Sequence, residues 1–198
     1  MKFPAQNKLL GLVAALAILS AGSAQAALVN AGFETGDLTS WNSFGDSITV
    51  VTTDPNTGAY HADLSADDAD PNYAGMYQDQ AASGGQLWNG SIWARLVSSP
   101  GGNAMIRLKL EFIVGGSPVQ IDDALLTTVS GSYTQLTVSG IAPVGATIAR
   151  LTPVVELNGE LGSMQGFFDD AALTLIPEPA AITMLAPAAL MLIRRRRV

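Results

Sequence analysis

The middle of this sequence predicts an all-β domain, a jelly-roll β-sandwich, on three observations. Between Ala27 and Ile176 apolar residues alternate with polar ones or gather in short runs, and none keeps a helical period. Clusters of turn-forming residues separate those runs: DPNTG at 54–58, SSPGGN at 98–103, GGSP at 115–118 and NGELGS at 158–163. Ten short strands within 150 residues then call for two packed sheets rather than one.

The predicted strands are Leu28–Phe33, Ile48–Thr52, Tyr60–Ala66, Tyr73–Gln80, Leu87–Val97, Ala104–Val114, Val119–Val129, Tyr133–Ser139, Thr147–Leu157 and Gly166–Leu175. Three of them show their faces. In Ala104–Val114, Ile106, Leu108, Leu110 and Phe112 share one side, opposite Arg107, Lys109 and Glu111. In Thr147–Leu157, Ala149, Leu151, Val155 and Leu157 make an aliphatic side. In Gly166–Leu175, strict alternation puts Asp169 on one side with Phe167, Ala171, Leu173 and Leu175. A carboxylate on such a side is costly unless it is paired or coordinates a cation. Asp170 should face the other way.

Composition narrows the partners. The chain has no cysteine, so no disulfide framework is needed for a domain of this size. Residues 27–176 keep four of the ten Lys and Arg and sixteen of the seventeen acids, a net charge of −12. That surface repels nucleic acid and anionic headgroups and suits neutral glycans, cations or basic surfaces. Net charge as a solubility device explains most of these acids equally well.

The two ends carry addressing signals. Lys2 and Lys8 precede the apolar run Leu9–Leu19, and Ala24-Gln25-Ala26 places small residues at a cleavage site, so 1–26 reads as a signal peptide cut after Ala26. At the other end Pro177-Glu178-Pro179 blocks regular structure. It is followed by an uncharged run of 14 residues, Ala180–Ile193, and by Arg194, Arg195, Arg196 and Arg197. The run is shorter than the roughly 20 residues of a stable span, and the arginines would stay cytoplasmic. This triplet, short anchor helix and basic plug over 177–198 resemble the PEP-CTERM sorting signal of Gram-negative bacteria. The resemblance implies export, transient tethering to the inner membrane and cleavage near the triplet by an exosortase. It further implies release to the cell surface or an exopolysaccharide matrix. An ordinary membrane anchor is the alternative.

Two stretches of the domain also resemble a known group. The chain enters with Asn30-Ala-Gly-Phe-Glu-Thr-Gly36 and Trp41, and ends on Gly166-Phe-Phe-Asp-Asp170 followed by an aliphatic run. Both are similar to carbohydrate-binding modules of the galactose-binding-like jelly-roll fold. In that group the two ends lie side by side and often share a structural Ca²⁺. The resemblance implies that Glu34 and Asp169 supply carboxylate oxygens, with carbonyls of the 56–60 loop completing the shell. Hard oxygens are what Ca²⁺ requires. Capping of Glu34 and Asp169 by backbone amides, or by Arg150, is the open alternative.

Sugar binding needs aromatic faces beside planar polar groups. Tyr60, Tyr73, Tyr77 and Trp88 are the candidates, with Tyr73 and Tyr77 beside Asn72, Gln78 and Asp79 as the expected surface platform. Trp41 and Trp93 are expected in the core. Catalysis has little to stand on. The single histidine, His61, sits in an alternating strand and reads as a strand surface residue, and no nucleophile elbow occurs. Asp68-x-Asp70-x-Asn72 with Asp79 begins like an EF-hand loop, but Tyr73 stands where glycine is needed, so it reads as a solvated loop. The expectation is therefore a non-catalytic exported matrix protein that binds polysaccharide. A structural or adhesive protein without a specific ligand is the alternative, and a small glycan hydrolase a distant one.

Overall fold

The computed structural model describes residues 27–177. The signal peptide with Ala24 and Ala26 lies outside the described residues, as does the tail from Glu178 and Pro179 to Arg194–Arg197. Among the described residues no helix is long and apolar enough to cross a membrane.

Ten strands form: β1 Asn42–Gly45, β2 Ser47–Val51, β3 His61–Asp67, β4 Tyr73–Ala81, β5 Leu87–Ser98, β6 Met105–Val114, β7 Ser117–Leu126, β8 Thr134–Ile141, β9 Ala146–Glu156 and β10 Ser163–Ile176. They make two five-stranded antiparallel sheets, β1-β4-β9-β6-β7 and β2-β3-β10-β5-β8. The pairs β6–β7, β5–β8, β4–β9 and β3–β10 are all hydrogen-bonded neighbours. They nest as one long hairpin with β6–β7 at its tip. Successive pairs fall alternately into the two sheets, which is the jelly roll. The short consecutive strands β1 and β2 add one edge strand to each sheet, pairing with β4 and β3.

The core is the interleaved inner sides of the sheets. From β6 come Ile106, Leu108, Leu110 and Phe112, and from β9 Ala149, Leu151 and Val155, all fully buried. Burial of each large apolar side chain contributes about 1.5–3 kcal/mol, and Trp88, Phe33, Phe168, Leu64, Met76, Ile92 and Leu96 complete the core from the other segments. The alternation of β6 and β9 is the one the sequence predicts.

Three expectations are corrected. Leu28–Phe33 is not a strand. Asn30 and Phe33 take left-handed conformations (φ 52° and 59°), and the Phe33 amide bonds the Asn30 carbonyl at 3.1 Å. The Asn30 side chain bridges the amide of Thr35 and the carbonyl of Asp37, so the segment closes into a double turn. Phe33 becomes a plug, fully buried and 5.5 Å from the Trp41 ring. The second correction is the face of β10. Its register slips between Asp169 and Ala172, and Asp170 takes a φ of 48°. This β-bulge reverses the alternation. Phe167 and Asp169 point outward, whereas Phe168 and then Ala171 and Leu173 point into the core.

The third concerns the tryptophans of β5. Trp88 is fully buried, in step with Ile92, Ala94 and Leu96, and cannot stack on a ligand from outside. Trp93 lies an odd number of residues further along and is half-buried on the outer side.

Candidate functional site

Two arrangements of functional side chains emerge, one at the junction of the chain's ends and one on an outer sheet face.

At the junction, Glu34, Asp169 and Asp170 converge on the turn formed by 56–60. Asp169 Oδ2 accepts hydrogen bonds from the amides of Asn56 (2.9 Å) and Thr57 (3.0 Å), and Oδ1 from the amide of Asp170 (2.8 Å). Glu34 accepts from the amides of Ala59 (3.1 Å) and Tyr60 (3.2 Å). Asp170, turned by the bulge, accepts from Asn56 Nδ2 and Thr57 Oγ1, both at 2.8 Å. It therefore joins Asp169 instead of facing away. Gly58 sits at φ 62°, and a Cβ there would stand 2.2 Å from Glu34 Oε1, so the turn closes over the carboxylate only with glycine. Asp169 is fully buried, and burial first, then the neighbouring Asp170 charge, push its carboxyl up to about 6 against the pull of its amide donors.

The chemistry of these groups fits a hard cation: three carboxylates meet here, and none is ion-paired with Lys or Arg among the described residues. The oxygens themselves are occupied by amides, which is the capping alternative. Among the described residues no group of three or more His, Cys, Asp or Glu is arranged to hold a metal ion. Arg150 takes no part here. Tyr60 also belongs to this junction: it is half-buried, and its ring packs over Gly36, where a Cβ would stand 3.3 Å away.

The same loop is tied further along. Asp54 pairs with Arg95 at 2.7 Å, and its carbonyl accepts from the Tyr133 hydroxyl at 3.2 Å. The Arg95 guanidinium lies 4.8 Å from the Phe167 ring centre and 5.3 Å from that of Tyr133. His61, expected at the surface, is fully buried with its ring 4.3 Å from Phe167. Neither imidazole nitrogen has a hydrogen-bond partner among the described residues. Burial holds its pKa below the ordinary value, aided by Arg95 and opposed by Asp63 and Asp54.

The second arrangement occupies the outer face of β1-β4-β9-β6-β7. Tyr73 and Tyr77 lie two outward positions apart on β4, with Gly75 between them. Phe44 of β1 is registered on Gly75, and a Cβ at that glycine would stand 2.2 Å from the Phe44 ring. Phe44 fills the gap at 6.0 Å from Tyr73 and 6.3 Å from Tyr77. Tyr73 is 41% exposed, while Phe44 and Tyr77 are half-buried. The Arg150 guanidinium stacks 3.7 Å from the Tyr77 ring centre and forks onto Asp79, with Nε–Oδ1 2.7 Å and Nη2–Oδ2 2.9 Å. Beside it Thr152 donates to Glu111 at 2.6 Å. Further across, Lys109 pairs with Glu156, and Arg107 with Asp123 at 3.3 Å. Gln78 is not part of the platform: it is buried and bonds both backbone groups of Val29.

Sequence reading placed Tyr73 and Tyr77 together but missed Phe44, because a four-residue strand shows no alternation. It also could not pair Arg150 with Asp79, 71 residues apart. Asp79 is thereby removed from the Asp68–Asn72 segment, where Asp68 accepts from the Gly162 amide at 3.2 Å.

No protein-family model matches the chain, and no curated protein matches it. Solved structures do share its fold. One is TmCBM61 in complex with β-1,4-galactotriose, at 22% identity and a TM-score of 0.56, covering 75% of this chain and 97% of that one. Another is a family 16 carbohydrate-binding module, at 16% and 0.56, covering 74% and 98%. A third is the CBM22-1 xylan-binding domain of Paenibacillus barcinonensis Xyn10C, at 14% and 0.57, covering 78% and 97%. The described domain thus has the β-sandwich fold of carbohydrate-binding modules.

Burial of His61 has a measurable consequence. Its folded pKa lies below the ordinary 6.5, so its contribution is complete above that pH and is lost as the pH falls through it. His61→Phe should lower the urea midpoint less between pH 7 and pH 5 than the wild type does. Parallel pH curves for the two proteins would show that the buried imidazole protonates without cost.

Proposed function

We propose that this protein is an exported matrix component whose sandwich binds neutral glycans without catalysis, through the Phe44–Tyr73–Tyr77 platform. The observation that carries this reading is the contiguity of three aromatic rings with the Arg150–Asp79 fork on one outer face. Aromatic rings stack on the apolar faces of pyranoses, and planar charged or amide groups beside them bond to hydroxyls. The charge on this face favours a neutral ligand. Arg107, Lys109 and Arg150 are each engaged by a carboxylate, which leaves none of them to meet an anionic sugar. The shared fold with carbohydrate-binding modules supports the same reading.

Binding to a panel of neutral oligosaccharides, including β-1,4-galactotriose and xylohexaose, tests it. Tyr73→Ala and Tyr77→Ala should each weaken binding at least about tenfold, as loss of an aromatic anchor does. Unchanged affinity in both variants would exclude the platform. Absence of binding across the panel would favour a structural or adhesive role.

A structural Ca²⁺ at Glu34 and Asp169 is a second reading, favoured by the carboxylates that meet there without a Lys or Arg partner among the described residues and by the cost of keeping buried Asp169 ionised. An ion that binds only the native state must stabilise it. Chelator should therefore lower the melting temperature by several degrees, and a melting temperature indifferent to both chelator and added Ca²⁺ removes the ion.

The sorting reading rests on the ends of the chain. Export depends on the signal peptide with Ala24 and Ala26, and transient inner-membrane tethering and exosortase cleavage on Pro177, Glu178, Pro179 and the four arginines. Intact mass of surface and medium fractions should give a species running from Ala27 to near Pro177, absent in cells lacking the sorting protease. A species still carrying Arg194–Arg197 would mean a plain anchor.

A further inference from the structure

The face of the sandwich opposite the platform has a different chemistry. On the outer side of β5 and β8, cross-strand register places Trp93 opposite Gln135, Ser91 opposite Thr137 and Asn89 opposite Ser139. All six point away from the core, because their neighbours Trp88, Ile92, Leu136 and Val138 are buried. β10 borders them with Ala172 beside Ser91 and Thr174 beside Asn89. None of these positions carries a charge, in a domain with sixteen acids and a net charge of −12.

The patch has one walled end. Asp169 is registered opposite Trp93 on the β10 side, and its carboxylate holds the 56–57 turn by two amide bonds. That turn therefore sits next to Trp93, and at the other end of the strip the Ser139 amide donates to the Asp122 carboxylate at 2.8 Å. Trp93 is half-buried, whereas Trp41 is 7% exposed and Trp88 fully buried. An indole kept partly in water costs hydrophobic free energy; Asp169 borders it on β10, and on the β8 side it faces the primary amide of Gln135, with the hydroxyls of Ser91 and Thr137 next along the strip.

We infer that this uncharged strip is a second glycan-contact face, taking a neutral polysaccharide chain with Trp93 as its stacking floor and Asn89 and Gln135 as hydroxyl partners. Amides and hydroxyls both donate and accept, which matches sugar hydroxyls and gives no preference to ions. The aromatic platform lies on the other sheet. A domain with ligand on both outer faces joins two chains, so it cross-links a matrix instead of merely coating it.

The three tryptophans make the test direct. Acrylamide quenching of intrinsic fluorescence reports Trp93, since the other two indoles are buried. Xylohexaose or β-1,4-galactotriose at saturation should reduce quenching at least twofold, and polygalacturonate should not. Thr137→Glu, a charge at an exposed edge-strand position, should abolish that protection, while Tyr77→Ala should leave it intact. The double variant should then lose all binding, and each single variant should lose the wild type's ability to raise the viscosity of a neutral polysaccharide solution. Unprotected Trp93 in a protein that still binds through Tyr77 would overturn this face and leave the platform standing. Protection that survives Thr137→Glu but disappears in Tyr77→Ala would also overturn it. Loss of the Tyr77-dependent binding alone would count against the platform and not against Trp93.

Discussion

The structure turns on the bulge at Asp170 in β10, a central strand of its sheet. Without the extra residue, alternation would send Asp169 into the core with Ala171 and Leu173, where an ionised carboxylate is untenable. With it, Phe168 and Ala171 both face inward, and two consecutive carboxylates lean toward the same turn. That turn has backbone amides but few side chains of its own to hold it. Asp169, Asp170 and Glu34 satisfy six of its donors, from Asn56 to Tyr60. The first and last stretches of the domain are clasped through this turn, which closes the sandwich at that end.

The clasp explains why a domain without disulfides can leave its N-terminal segment out of either sheet. The Asn30 double turn is anchored by Phe33 in the core, by the Trp41 indole donating to the Asn30 carbonyl at 3.1 Å, and by Glu34 on the loop. The Glu34 contacts reach 25 and 26 residues along the chain. The glycines at 58 and 75 serve close approach: one admits a carboxylate, the other an aromatic ring.

Charge is distributed with the same economy. Arg107, Lys109 and Arg150 lie on the outer face of one sheet, each against a carboxylate, and Arg95 alone lies on the other, fixed to Asp54. Half-buried pairs of this kind contribute modestly to stability, and their larger effect is orientation. Arg150 is held flat over Tyr77, and Arg95 is held between Phe167 and Tyr133. One face becomes aromatic and ionic, while the far half of the other remains polar and uncharged.

The sequence alone determined the all-β class, nine of the ten strand segments and the inner sides of β6 and β9, because these follow from local alternation and turn chemistry. It also marked Tyr73 and Tyr77 as neighbours, since two residues at even spacing on one strand share a face whatever the fold. Tertiary structure decided the rest. Asn30's bridging turn overrode the apparent strand at Leu28–Phe33, and the β10 bulge reversed a face. Parity within β5 exchanged the places expected of Trp88 and Trp93. Phe44 joined the tyrosines, and Arg150 found Asp79, through pairings between strands far apart in the chain. Alternation is a local property and can be read along the chain. Register, bulges and cross-strand partners are set only when the sheets assemble.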